Sequence, residues 1–216
     1  LINQINYLKN RFILHCFDIP ELDINKKNFE KYLLKKIDNK KKYILINCIG
    51  LMGADESKKN VEKYLDVNSF FPSELLEKIN DKIRIEKYIY LSSETVYGNG
   101  KNLSEKSLKN PIHPYAMSKL YSEINIKKTF SKIKKKFSII ILRIPVVVFE
   151  SQKFDNTLTL ICKKYKEKRK MIIFGNGKHE RNYIYIDDLN EIFLKLIKKK
   201  LPAKINIFNI PGNKAS

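Results

Sequence analysis

Apolar positions along the chain fall into two alternating rhythms: short unbroken runs and stripes at helical spacing. Residues 1–10 carry Leu1, Ile2, Ile5 and Leu8, the stripe of a helix end, and residues 11–17 form a first apolar run. Residues 25–40 place Phe29, Leu33, Leu34 and Ile37 on one helical face. Residues 43–49 form a near-continuous apolar strand, as expected in a sheet covered on both sides. Residues 57–80 are helical in period, with Pro72 marking a break. A strand over 87–91 follows, then a polar loop over 98–114 holding Gly98, Gly100, Pro111 and Pro114. The pattern continues with a helix over 115–135, a β-branched strand over 138–148 and an amphipathic helix over 154–170. It ends with strands at 171–174 and 183–186, a helix over 187–200 capped by Asp187 or Asp188, and a strand over 205–210. Strands that alternate with helices predict an α/β fold, a doubly wound parallel sheet of Rossmann-like type with right-handed crossovers. Ligands on such a sheet sit beyond the C-terminal strand ends.

Composition narrows the class. With 216 residues and 43% hydrophobic content the chain can bury a sizeable core. No apolar run approaches the roughly 18 residues of a membrane span, since Arg143 and Pro145 interrupt the longest one. The formal charge is +20, nearly all of it from Lys, with Arg only at 11, 84, 143, 169 and 181. Nucleic-acid readers lean on Arg forks and stacking aromatics, so the spread lysines read as residue-usage bias and nucleic acid is not the expected partner. Cys16, Cys48 and Cys162 lie far apart, with neither a disulfide framework nor zinc spacing, and His15, His113 and His179 do not cluster. No metal site is expected, and a reducing, cytoplasmic setting fits.

Candidate chemistry gathers at the predicted strand ends. The run at 88–91 delivers Ser92 and Ser93, followed by Glu94-Thr95-Val96-Tyr97-Gly98. Downstream, Pro114-Tyr115-Ala116-Met117-Ser118-Lys119 opens a helix whose i, i+4 spacing puts Tyr115 and Lys119 on one face. An ammonium beside a phenol favours the phenolate, so this spacing predicts a lowered Tyr115 pKa. A serine hydroxyl at the same point can hold a substrate oxygen. Together these make a proton-transfer site around a C–O bond. Blander roles exist for the same residues. Tyr115 can be a packing aromatic, Ser92-Ser93 can satisfy strand-end backbone, Asn47 can form a turn, and Arg181 can pair with Asp187 or Asp188.

Ser92-Ser93-Glu94-Thr95-Val96-Tyr97-Gly98, with Pro114-Tyr115 and Lys119, resembles the extended short-chain dehydrogenase/reductase family. These are the NAD-dependent epimerase/dehydratase proteins that act on nucleotide sugars. Further segments resemble the family in order: Glu21-Leu22-Asp23-Ile24, Asn47-Cys48-Ile49-Gly50, Asp66-Val67-Asn68, Leu142-Arg143-Ile144-Pro145, Phe174-Gly175-Asn176-Gly177 with Arg181-Asn182-Tyr183, and Asn209-Ile210-Pro211-Gly212. The resemblance implies Ser93, Tyr115 and Lys119 as catalytic residues. It implies NAD or NADP contacts from Asp23, Ile24, Asn47, Cys48, Ile49, Gly50, Asn68, Ser92, Tyr115, Lys119 and Pro145. It assigns a nucleotide-sugar substrate to Ser93, Glu94 and Arg181, with Glu94 either an additional acid/base or a polar loop residue. Asp18 is a further candidate for the adenosine ribose.

The implied organisation is a dinucleotide-binding part over 1–148 and a partial substrate-binding region over 149–216, with the helix at 187–200 packing back on the first part. A homodimer through a helix pair that includes 115–135 is also implied. No Gly occurs before Gly50, so the Gly-rich phosphate loop of the family is not in this sequence, and a fragment is expected. Glu94-Thr95 stands where the family's dehydratases have Asp-Glu, which favours an epimerase or reductase over a dehydratase. The alternatives are a silent dinucleotide-binding or scaffold protein and a basic RNA-binding protein on the same fold.

Overall fold

The computed structural model describes residues 29–100, 102–149, 157–170 and 180–215, with His15 and Phe17. The elements expected at 1–10, 11–17 and 171–174, and the candidates Asp18, Asp23 and Ile24, lie outside the described residues.

Among the described residues the elements run α1 (Phe29–Lys35), β1 (Lys42–Asn47), α2 (Ala54–Lys59), α3 (Val61–Tyr64), a π-helical turn (Leu65–Phe70) and α4 (Phe71–Ile79). They continue with β2 (Arg84–Ser93), a 3₁₀ turn (Glu94–Tyr97), α5 (Pro114–Lys132), β3 (Ser138–Ile144) and β4 (Val146–Val148). The last are α6 (Thr157–Lys166), β5 (Arg181–Tyr185), α7 (Ile186–Lys198), β6 (Ile205–Asn209) and β7 (Asn213–Ala215). One sheet has the order β1-β2-β3-β6 and is parallel at every junction. The expected α/β, Rossmann-like class is what the chain forms.

The period-2 alternation of β2 and β3 divides two cores. Tyr88, Tyr90, Ile139 and Ile141 face Leu75, Leu76 and Ile79 of α4 and Ile126 and Phe130 of α5. Ile89, Ile140 and Leu142 point the other way, onto Leu189 and Phe193 of α7. Both faces of the central strands are thus buried, which is why their sequences read as unbroken apolar runs.

Three expectations change. The strand expected over 138–148 is two strands in two sheets. Pro145 lacks an N–H and ends the β3 ladder, and β4 then pairs with β5 in a second sheet of order β4-β5-β7. The helix expected over 57–80 is interrupted differently. Pro72 sits in the first turn of α4 and cannot donate to the Asn68 carbonyl. The chain widens instead, so the Phe71 N–H donates to Asp66 and the freed Asn68 carbonyl accepts from the Tyr90 hydroxyl at 3.2 Å. Finally, Asp187 and Asp188 lie in the first turn of α7 rather than at its cap, which is Tyr185. There the helix dipole favours their charge.

Candidate active site

The strand ends deliver the candidate residues, and α5 meets them from one side. β2 ends at Ser93, which caps the 3₁₀ turn: its Oγ accepts from the Thr95 N–H at 3.3 Å and from the Thr95 hydroxyl at 2.9 Å. The Ser93 hydroxyl lies near enough to the Tyr115 phenol to favour its ionised form. Tyr115 is half-buried, its ring held between His113, stacked at 5.9 Å and 15°, and Tyr64, edge-on at 6.4 Å. Its backbone N–H donates to Ser57 Oγ at 3.0 Å, which ties the start of α5 to α2.

Lys119 lies one turn further along α5 and is 6% exposed. Its ammonium donates to the Leu91 carbonyl at 2.9 Å and sits over the Tyr90 ring. Burial pulls its pKa down from 10.5 to about 8. The Tyr115 pKa moves against expectation. Burial raises it, the nearby Ser93 hydroxyl opposes that, and Tyr64 adds to the rise. The expected lowering by Lys119 is not seen because the ammonium is engaged with Leu91 and Tyr90 instead.

Asn68 organises the segment after β1. Its Oδ1 accepts from the Leu51 N–H at 2.7 Å, and its Nδ2 donates to the Leu51 carbonyl at 3.0 Å and to Ser118 Oγ at 3.1 Å. The π-helical turn aims this buried side chain back across the sheet end. A Cβ on Gly50 would come within 3.1 Å of Lys119 Nζ and 3.2 Å of Asn68 Oδ1. A side chain there would press on both, so Gly50, Asn68 and Lys119 form one close cluster at the start of α5. Cys48 is exposed and Ile49 half-buried on the same segment.

The remaining candidates have the following partners within the fold. Asn47 is buried; its Nδ2 donates to the Tyr88 hydroxyl at 2.9 Å and its Oδ1 accepts from the Ile49 N–H at 3.0 Å, the turn-forming role weighed for it. Ser92 turns into the core, where its hydroxyl donates to Glu123 at 2.7 Å. Pro145 is buried between the two sheets, with Gly212 against it. Glu94 is half-buried and accepts from Asn182 Nδ2 at 2.8 Å. Burial raises its pKa, while Asn182 and the charge of Arg181 oppose the rise. Arg181 itself is exposed at the start of β5.

Two features were missed in the sequence. His113, read as a loop residue, is the N-cap of α5, its Nδ1 accepting from the Ala116 N–H at 3.1 Å. A polar residue directly before Pro114 was the available signal. Beneath the serines lies a buried ion pair, with Arg143 Nη2 2.6 Å from Glu123 Oε2 and Nε 2.9 Å from Oε1. Arg143 Nη1 also donates to the Tyr97 hydroxyl at 2.6 Å, and that hydroxyl donates to Asn209 at 2.7 Å. A lone Arg inside an apolar strand signals such a partner; nothing in the helical sequence singles out Glu123.

The described residues hold no group of His, Cys, Asp and Glu suited to a metal ion, and none of their helices is long and apolar enough to cross a membrane. The family model described as "NAD dependent epimerase/dehydratase family" matches residues 10–210. The dTDP-D-glucose 4,6-dehydratase of Homo sapiens is 32% identical over 145 residues, covering 66% of this chain and 40% of that protein. The ADP-L-glycero-D-manno-heptose-6-epimerase of Brachyspira hyodysenteriae is 30% identical over 141 residues, covering 61% of this chain and 42% of its own. The chain therefore spans about two fifths of the length of these relatives. Among solved structures, UDP-glucuronic acid 4-epimerase from Bacillus cereus, in complex with UDP-glucuronic acid and NAD, superposes with a TM-score of 0.78. It is 28% identical, with 89% of this chain and 60% of that one covered. The relatives include both dehydratases and epimerases, so the similarity reaches the family and stops short of the reaction.

Proposed function

Because the chain belongs to the NAD dependent epimerase/dehydratase family, we propose that it carries the proton-transfer half of an NAD-dependent reaction at a hydroxyl-bearing carbon of a nucleotide-activated sugar. The observation that carries this reading is the placement of Ser93 at the end of β2 and Tyr115 at the start of α5, close enough for the serine to lower the phenol's pKa and one helical turn from a buried Lys119. The described strand ends fit a dinucleotide: Gly50 keeps clear the space beside Lys119 Nζ and Asn68 Oδ1 that a Cβ would fill. Gly50, Ile49 and Lys119 would hold its nicotinamide half. When bound, NAD supplies the hydride acceptor and donor.

The protein's own residues handle the proton. Ser93 orients the sugar oxygen through its hydroxyl. Tyr115 Oη exchanges a proton with that oxygen. Burial keeps the phenol protonated at neutral pH, which sets it to donate to a developing alkoxide; accepting a proton needs added positive charge nearby. Lys119, one turn along α5, would provide that charge on turning from Leu91. Arg181, with its planar fork, suits the substrate's diphosphate, and its charge acts on Glu94, which Asn182 holds. Epimerisation or reduction is the favoured outcome, since Thr95 follows Glu94 where the dehydratases of the family carry an acid.

The test is conversion of a panel of UDP-, dTDP- and ADP-sugars by the purified protein with NAD, followed by product separation and nicotinamide absorbance. Turnover that disappears in Y115F supports the reading. No conversion of any sugar, or turnover indifferent to Y115F, removes it.

A further inference from the structure

Tyr115 does not stand alone at the start of α5. Two residues before it, His113 adopts extended backbone and caps the helix, accepting the Ala116 N–H on Nδ1 at 3.1 Å while its carbonyl takes the Met117 N–H at 3.0 Å. The same imidazole lies nearly parallel to the Tyr115 ring. One side chain thus fixes both the first turn that carries Tyr115 and the plane of its phenol. A nitrogen that accepts an N–H must hold a lone pair, so the cap exists only with Nδ1 unprotonated. Protonation would set donor against donor at a helix N-terminus, where the dipole also opposes a cation.

We propose that His113 is a positioning residue for Tyr115 which works only as the neutral imidazole, so that acidification uncouples the phenol from its helix cap. This rests on the reading of Tyr115 as the proton-exchanging group. The charged groups around His113 are Lys58 and Asp55 on α2, paired with each other at 2.9 Å, and Arg181 on β5. On its own helix it faces Tyr115, whose other side meets Tyr64 of α3. Burial first, then Lys58 and Arg181, hold the imidazole below its usual pKa; Asp55 opposes them. The cap is therefore intact at neutral pH and fails on the acid side of the ordinary histidine range.

The experiment is an NMR titration of the full chain, labelled at tyrosine Cζ, histidine and backbone nitrogen, with H113N and H113F alongside. Asn can cap a helix but does not titrate; Phe keeps a stacked ring but cannot cap. In the wild type, the Ala116 amide and Tyr115 Cζ are expected to shift with the same midpoint as the His113 imidazole. In H113N that midpoint vanishes from both reporters. Where turnover is measurable, H113F loses about five- to tenfold in kcat at near-constant KM, the size of a lost cap. H113N restores it and loses the acidic fall of the wild type. The proposal is overturned if Ala116 and Tyr115 hold still while the imidazole titrates, or if the acidic fall persists in H113N. Absence of turnover in the wild type would count against the enzymatic reading alone, because the NMR coupling is read without substrate.

Discussion

The Lys119 ammonium donates to the Leu91 carbonyl, joining α5 to the last turnless stretch of β2 across 28 residues of chain. It does so in a buried position that costs the charge its hydration. A folded pKa of about 8 against 10.5 means that the unfolded chain binds the proton more tightly between those values. Stability from this group is greatest above 10.5 and is lost as pH falls through 8. K119M should therefore be more stable than the wild type near neutral pH, by about 1–3 kcal/mol after the lost hydrogen bond is subtracted. That advantage should fade as pH rises across 8 to 10.5. Denaturant melts of both proteins over that range check it; an advantage independent of pH would show that the ammonium is not the cause.

Glu123 answers to Arg143, Ser92 and, through Arg143, Tyr97. Removing its charge leaves a guanidinium that is 1% exposed without a counter-ion. E123Q should cost about 3–5 kcal/mol. Pairing E123L with R143M should recover much of this, because two apolar side chains of similar bulk leave no stranded charge. Equilibrium unfolding of the two single variants and the double variant measures the coupling.

Asn68 holds both polar groups of Leu51. N68A should destabilise by about 1–3 kcal/mol, the cost of leaving such groups unpaired. It should also speed hydrogen exchange at the Leu51 amide far more than at amides of β3. Equal acceleration everywhere would mean that Asn68 supports the whole fold and not this segment.

Arg181 is exposed and its charge reaches Glu94. R181A should leave the unfolding free energy within about 0.5 kcal/mol of the wild type, as surface changes do. If it receives a diphosphate, KM for the nucleotide sugar should rise by about tenfold or more with little change in kcat. Steady-state kinetics of R181A and R181K separate charge from fork geometry.

Much of this was legible in advance for identifiable reasons. β2 and β3 are covered on both faces, so their apolar runs stand out, and Tyr115 and Lys119 keep their helical spacing in α5. The split at Pro145 was hidden because Val146, Val147 and Val148 are as apolar as the strand before them. The π-helical turn was hidden because one widened turn barely alters a 3.6-residue rhythm. The direction of the Tyr115 pKa depended on where a flexible lysine tip points, which spacing does not encode. Asn47 and Ser92 lie where expected at the strand ends, yet their side chains bond Tyr88 and Glu123 inside the fold, a choice made by neighbours distant in sequence.

The passage of the chain through Pro145 has a consequence for biosynthesis. β3 gains β2 as a neighbour as soon as it forms, but its other edge waits for β6, with Ile139 pairing Ile205 and Arg143 pairing Asn209. Until the ribosome has released β6, the apolar stretch Ile139 to Leu142 presents an unpaired edge. Translation that stalls between β3 and β6 would leave an aggregation-prone intermediate, and supplying a holdase chaperone should raise the soluble yield of this protein.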